Sequence, residues 1–457
     1  MQNRKLITTL LLSATLLFGA TKSTAASAHL FTQSAPSAPT AAQSQSPQAD
    51  TPQQTAPART VTAYTLPPDQ AAKSHRLGLL AFWGQIVGLI YSVAVLLLIL
   101  RLGWAARFRD FAERISKSRF MQAMLFAAPI LLAIAVLLIP FDAAHQYVSR
   151  IYGLSIQSWP SWLWDWTKSQ LLAVVLGIFL LWILYSVIRW SPRRWWFIFW
   201  LATIPITIFI IFIQPTFVDP MFYKFEPLQQ HDPALTASLE QMVHRAGQDI
   251  PPDRMFWMDA AEKTTELNAY VTGLGASKRI VVWNTTISKM NTPQIVFVAG
   301  HEMGHYVLQH IWKGLAFAEL FLLVIFWLVA QTINKLLAAR GAGWSIRGLD
   351  DWASFPAIYM LLLIFAFVAS PIFSAFSRSQ EHQADQYGLE VTHGLTPDSS
   401  QVAAQSFQIL GEVDLSDPTP LPIDVLLFYS HPPIPDRVRY ALTYTPWAGG
   451  GSGEFVK

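Results

Sequence analysis

His301-Glu302-Met303-Gly304-His305 places two imidazoles four residues apart, with a carboxylate between them. On a helix such residues share one face with Cβ atoms about 5–6 Å apart, so both rings reach one cation. Glu302 follows His301 by about 100° and faces the open coordination position of that cation. This is the HExxH pattern, and its chemistry is hydrolysis: two histidines hold zinc while the glutamate serves as general base. With 11 His and 11 Glu in 457 residues, random order yields roughly 0.006 such motifs, which makes coincidence a poor explanation. The flanks suit a helix, with Thr292-Pro293 reading as an N-cap and first-turn proline and Gly314 as the stop.

Two histidines leave zinc under-coordinated, and a third protein ligand must come from elsewhere. The chain has no Cys, so thiolate ligation and disulfides are excluded and the ligand is histidine or carboxylate. Metzincin spacing fails, because positions 308 and 311 are Leu308 and Ile311, and His310 is off that register. Glu381-His382-Gln383-Ala384-Asp385 is the better source. Glu381 and Asp385 share a helical face, so one can bind metal while the other orients a histidine through its free N–H. His382 is the alternative ligand.

The elements that position these groups are membrane helices. The chain is 52% hydrophobic and only 13% charged. Windows of about 20 apolar residues give six spans, at 78–100, 121–140, 171–190, 195–214, 315–333 and 355–376. Tryptophans at 159, 162, 164, 166, 190, 195 and 196 read as interfacial belts. The net charge of +3, with no basic run interleaved with aromatics, excludes a nucleic-acid binder. Residues 1–28 read as a signal peptide or signal anchor, with Arg4 and Lys5 before an apolar stretch and Ala26-Ser27-Ala28 as a cleavage pattern. Residues 29–74, rich in Pro, Gln, Ala, Ser and Thr, read as a disordered tether. There follow a four-span membrane region (75–214), a zinc-protease domain with the HExxH helix (215–314), two further spans (315–376), a C-terminal catalytic segment (377–445) and a flexible glycine-rich tail (446–457). The fold class is mainly α: a polytopic helical membrane protein with a small inserted α/β domain. Its sheet is expected at 254–258, 267–271 and 279–283, after a helix at 235–245. Glu319 falls inside an apolar run, where it is costly without water or a partner.

Loop charge orients the spans. Arg101, Arg107, Arg109, Arg114, Lys117 and Arg119 follow the first span; Arg189, Arg193 and Arg194 follow the third; Lys335, Arg340 and Arg347 follow the fifth. The loop 141–170 holds only Arg150 and Lys168. With the basic loops cytoplasmic, the segments carrying the motifs face the periplasm or exterior of a bacterial-type inner membrane.

Several stretches extend the likeness beyond the zinc motif. Pro220-Met221-Phe222-Tyr223-Lys224-Phe225-Glu226-Pro227-Leu228, Asn268-Ala269-Tyr270 followed by Lys278-Arg279-Ile280-Val281, and His431-Pro432-Pro433-Ile434-Pro435-Asp436-Arg437 occur in order around HExxH and ExxxD. Over residues 78–442 the chain resembles the integral-membrane CAAX prenyl protease 1 family of gluzincin-type zinc metalloendopeptidases. The resemblance implies one zinc held by His301, His305 and Glu381, Glu302 as base, and Asp385 in support. It further implies His431 at the oxyanion with Arg437 nearby, and Asn268, Ala269 and Tyr270 as a strand edge holding the substrate peptide. A water-filled chamber walled by the spans is implied too. Members usually have seven spans; here a signal-like segment and tether take the place of the first. Eukaryotic members act on prenylated cytosolic C-termini, whereas this chain's charge pattern faces the site outward. A polypeptide substrate and the lipid bilayer are the expected partners; oligomeric state is not legible. The alternatives are a zinc transporter, whose ligands belong within spans, and a silent zinc-binding scaffold, which has no use for Glu302.

Overall fold

The computed structural model describes residues 60–273 and 277–457. The signal segment and most of the tether lie outside them. Apolar composition writes the long helices directly: α1 (Pro68–Arg101), α3 (Arg119–Ile151), α4 (Trp159–Trp190), α5 (Trp195–Ile213), α8 (His310–Arg340) and α9 (Phe355–Thr392), with a short amphipathic α2 (Trp104–Ile115) between the first two. Among the described residues, six helical segments are long and apolar enough to cross a membrane. Prolines 129, 140, 205 and 371 sit inside these helices, as neighbouring membrane helices allow.

Between α5 and α8 the chain forms β1 (Phe225–Pro227), α6 (Pro233–Arg245), β2 (Met255–Met258), β3 (Ala269–Thr272), β4 (Arg279–Trp283) and α7 (Thr292–Val307). The strand order is β1-β2-β4-β3, with β2 and β4 parallel and both outer pairs antiparallel. β3 is therefore an edge strand. Apolar residues of α6, the sheet and α7 close one core with Tyr387 and Val391 of α9. After α9 come α10 (Ser399–Val413), α11 (Pro422–Phe428) and α12 (Ile434–Thr443).

α9 runs unbroken for 38 residues, about 57 Å at 1.5 Å per residue. A hydrocarbon layer of about 30 Å takes roughly half of that. Its final turns, with Glu381 and Asp385, project toward the sheet domain on the same rigid rod as the span.

The three basic loops meet at one end of the bundle. Arg109 donates to Asp351 at 2.5 Å, Arg347 pairs with Glu113 at 2.6 Å, and Arg189 donates to the Asp350 carbonyl at 3.0 Å. The sparsely basic loop after α3 binds the sheet domain at the other end, through Ile156 N–H to the Lys263 carbonyl and Lys263 to Asp165.

Four expectations need correction. The cap of α7 is Asn291, one residue earlier, because its amide forms a capping box with Gln294. The helix stops at Val307 and Gly314 lies within α8; the break is Gln309, at φ +59°. Residues 60–67 of the supposed tether form an ordered strap along α10, since Gln401 and Gln408 each bind both backbone groups of one residue, Val61 and Thr65. The tail docks as well: the Glu390 carboxylate accepts the N–H groups of Glu454, Phe455 and Val456.

Candidate metal centre

Three segments deliver the site. α7 supplies His301, Glu302 and His305, α9 supplies Glu381 and Asp385, and the turn after α11 with α12 supplies His431 and Arg437. Small residues let α7 and α9 cross closely. A Cβ on Gly388 would stand 3.0 Å from the His301 nitrogen, and one on Gly304 would stand 2.9 Å from Tyr387 Cβ.

At the crossing, His301 Nε2 and His305 Nε2 are 3.2 Å apart, and the Glu381 oxygens lie 3.4 and 3.5 Å from them. Ligands bonded to a tetrahedral zinc at 2.0–2.1 Å stand about 3.3 Å from one another, so the triangle has the size zinc needs. Glu381 is fully buried, and neither oxygen accepts a hydrogen bond. A carboxylate buried that way needs positive charge beside it, from a protonated His301 in the metal-free protein or from a metal once His301 gives up its proton. The donor set fits a divalent metal. Among the described residues it is the one cluster of three His, Asp or Glu able to share an ion.

The surroundings are charged as well as buried. Burial opposes protonation of His301, but the carboxylates of Asp385 and Glu381 outweigh it and push its pKa up to about 9. Burial holds His305 well below its usual range and raises the Glu302 carboxyl. Asp385 Oδ1 stands 2.8 Å from His301 Nδ1, and its carboxylate accepts two hydrogen bonds from Arg437, at 2.8 and 2.5 Å. His431 Nε2 is 3.3 Å from Glu381 Oε1, and its Nδ1 is 2.9 Å from Ser430 Oγ.

Asn268, Ala269 and Tyr270 lie at the start of the edge strand with buried side chains. Asn268 gives its carbonyl to Trp283 N–H, and ladder alternation then turns the backbone groups of Ala269 and Val271 to the outer edge. His382 packs its ring on Tyr440 at 4.3 Å and stays outside the cluster. Two residues that sequence reasoning missed belong nearby. His310, set aside as off register, puts Nδ1 3.0 Å from His305 Nδ1. Arg378, one turn before Glu381, donates to the carbonyls of Val425 and Tyr429 at 2.7 Å and ties the His431 turn to α9. Its place in the Glu381 helix was the available signal.

Residues 229–445 match the model of peptidase family M48. An uncharacterized metalloprotease of Bacillus subtilis (strain 168), YhfN, is 33% identical across 74% of this chain and 78% of its own. The chain belongs to peptidase family M48. Residues 49–224 of this M48 chain match the model described as CAAX prenyl protease N-terminal, five membrane helices. CAAX prenyl protease 1 of Saccharomyces cerevisiae is 27% identical across 66% of this chain and 67% of its own. The crystal structure of S. mikatae Ste24p shares the fold, with a TM-score of 0.69, 24% identity, and coverage of 82% of this chain and 89% of the other. This M48 member is a multi-pass membrane metalloprotease, its substrate a polypeptide and its surroundings a lipid bilayer.

Proposed function

We propose that the metal is zinc, that His301, His305 and Glu381 hold it, and that the enzyme is an endopeptidase with Glu302 as general base. The observation that carries this reading is the 3.2–3.5 Å triangle around a buried, otherwise unbonded Glu381 carboxylate. Zinc in that triangle supplies Lewis acidity, lowering the pKa of water and polarising a peptide carbonyl. Glu302, its pKa raised by burial, accepts the proton of the attacking water and returns it to the departing amine. Asp385, clamped by Arg437, accepts the His301 Nδ1–H and holds that ring. Ser430 O–H donating to His431 Nδ1 leaves an Nε2–H directed at the site, where the carbonyl oxygen gains negative charge. Within the edge that begins at Asn268, Ala269 and Tyr270, the outward backbone groups of Ala269 and Val271 offer main chain to an extended peptide, a mode that tolerates many sequences.

The basic loops gather at the end opposite this site. The excess of Lys and Arg there supports a reading with that end in the cytoplasm and the site on the exterior of a bacterial-type inner membrane. Extended or unfolded chains of exported and membrane polypeptides are the substrates this orientation favours, over the CAAX proteins in the name of the yeast relative. A transporter or silent scaffold finds no support and leaves Glu302 without a task.

The test is Glu302→Gln, assayed for cleavage of an unfolded fluorogenic polypeptide and for zinc content. Retained zinc with a rate loss of roughly 10²–10⁴-fold is expected. Cleavage at the wild-type rate would remove Glu302 from the mechanism.

A further inference from the structure

His305 has a partner of its own. It and His301 turn Nε2 toward Glu381, which leaves both Nδ1 atoms facing outward. A ring that gives its Nε2 lone pair to a metal carries its proton on Nδ1, and that N–H needs an acceptor. For His301 the group in place is the Asp385 carboxylate, 2.8 Å from Nδ1. For His305 the atom in place is His310 Nδ1, at 3.0 Å, on a side chain 1% exposed. To accept there, His310 must hold its own proton on Nε2. That atom faces Gln383 Oε1 at 3.3 Å, an acceptor. Proton direction is thus consistent along the row His305, His310, Gln383.

The backbone is bent to allow it. α7 ends at Val307, Gln309 adopts φ +59°, and His310 opens α8. A left-handed non-glycine residue is uncommon and costs about 1 kcal/mol or more, so it persists where the surroundings demand it. Without this reversal His310 would continue α7, five residues and about 500° from His305, turned away from its outer nitrogen.

Resting on the metal-centre reading above, we infer that His310 is a positioning residue: it holds His305 in the tautomer and ring angle that coordinate through Nε2, and Gln383 of α9 holds His310. The two histidine ligands then have unlike supports, a carboxylate for His301 and a neutral imidazole for His305. Together they leave one net negative charge in the outer row, which Arg437 offsets.

Zinc affinity and zinc release rate, measured by chelator competition on the full chain in detergent, test this apart from catalysis. His310→Leu is expected to weaken zinc binding about 10–100-fold and to speed release. His310→Asn, whose Oδ1 can occupy the place of Nδ1, is expected to recover most of that loss. Gln383→Leu, on the other helix, is expected to weaken binding in the same direction by less. The metal-free Leu and Asn variants should melt together, which a merely space-filling role would not combine with different zinc affinities. Wild-type affinity in His310→Leu, or equally weak binding in the Leu and Asn variants, would overturn the inference. A wild-type chain that takes up no zinc would instead overturn the metal-centre reading itself.

Discussion

Gly388→Ala is a sharp test of how the site is assembled. The new Cβ would lie 3.0 Å from the His301 nitrogen, 3.2 Å from its Cα and 3.2 Å from Phe297 Cε2. Carbon contacts settle near 3.5–4.0 Å. His301 is backbone here and cannot rotate away, so α7 and α9 must part by about 0.5 Å. Overpacking of this kind costs about 1–3 kcal/mol, while alanine returns about 0.8–1 kcal/mol of helix propensity. The net loss of stability is then roughly 0–2 kcal/mol. Function should suffer more, because Glu381 and Asp385 ride on the displaced helix and productive sites tolerate only about 0.5 Å of error. We expect peptidase activity to fall about tenfold or more while the melting temperature moves a few degrees. Gly300→Ala meets Val391 Cγ1 at 2.8 Å and Thr392 Cγ2 at 3.3 Å, buried β-branched side chains with little room to turn, and should act in the same direction. Gly84→Ala in α1 meets nothing within 4 Å and is the control. Activity of Gly388→Ala within twofold of wild type would refute the claim that this crossing sets the ligand geometry.

Zinc uptake should depend on pH. His301, protonated in the metal-free protein below about pH 9, must lose its proton to bind, so apparent affinity should fall about tenfold per unit below that pH. Calorimetry at pH 7 in two buffers should show about one proton released per zinc, and none released would contradict the assignment. The strap should stabilise the catalytic segments: Tyr64 donates to the Ser416 carbonyl at 2.9 Å, and its ring covers Gly411. Tyr64→Ala should cost about 3 kcal/mol, read as a lower melting temperature in detergent; an unchanged value would mean the strap carries no load. A reporter active only outside the cytoplasm, fused after Lys457, should be active. A silent but intact and inserted fusion would place the site in the cytosol and restore CAAX processing as the leading substrate.

Legibility followed the range of the interaction. HExxH and ExxxD are local spacings on helices, and the spans are local runs of apolar residues, so both are readable from the chain. Helix ends are set by finer chemistry: Asn291 rather than Thr292 caps α7 because its amide reaches Gln294 N–H. His310 falls off metzincin spacing as a third ligand, and the left-handed Gln309 that turns it toward His305 is not written in its residue type. Ala, Pro, Gln and Thr suggest a tether without a core, yet Val61 and Tyr64 of the strap are buried with Val402 and Phe407 of α10. The strap's order comes as well from Gln401 and Gln408, more than 330 residues away, which satisfy its backbone directly. The glycine-rich tail misled in the same way, its anchor being Glu390.

The division into a sheet domain and a separate C-terminal segment, natural along the sequence, cuts through the metal centre. His301 and His305 come from one side of the fifth span, and Glu381 arrives only after the sixth. Across that boundary also lie Asp385, beside His301, and Gln383, which holds His310. α8 begins five residues after His305, and α9 passes from span to Glu381 without a break, so bundle packing fixes the angle at which the ligand helices meet. A piece covering 215–314 would carry two ligands and His310, but lack Glu381, Asp385 and the Gln383 that holds His310. Such a piece should bind zinc far more weakly than the full chain even if its sheet folds, because the membrane helices act here as the frame of the site as well as its anchor.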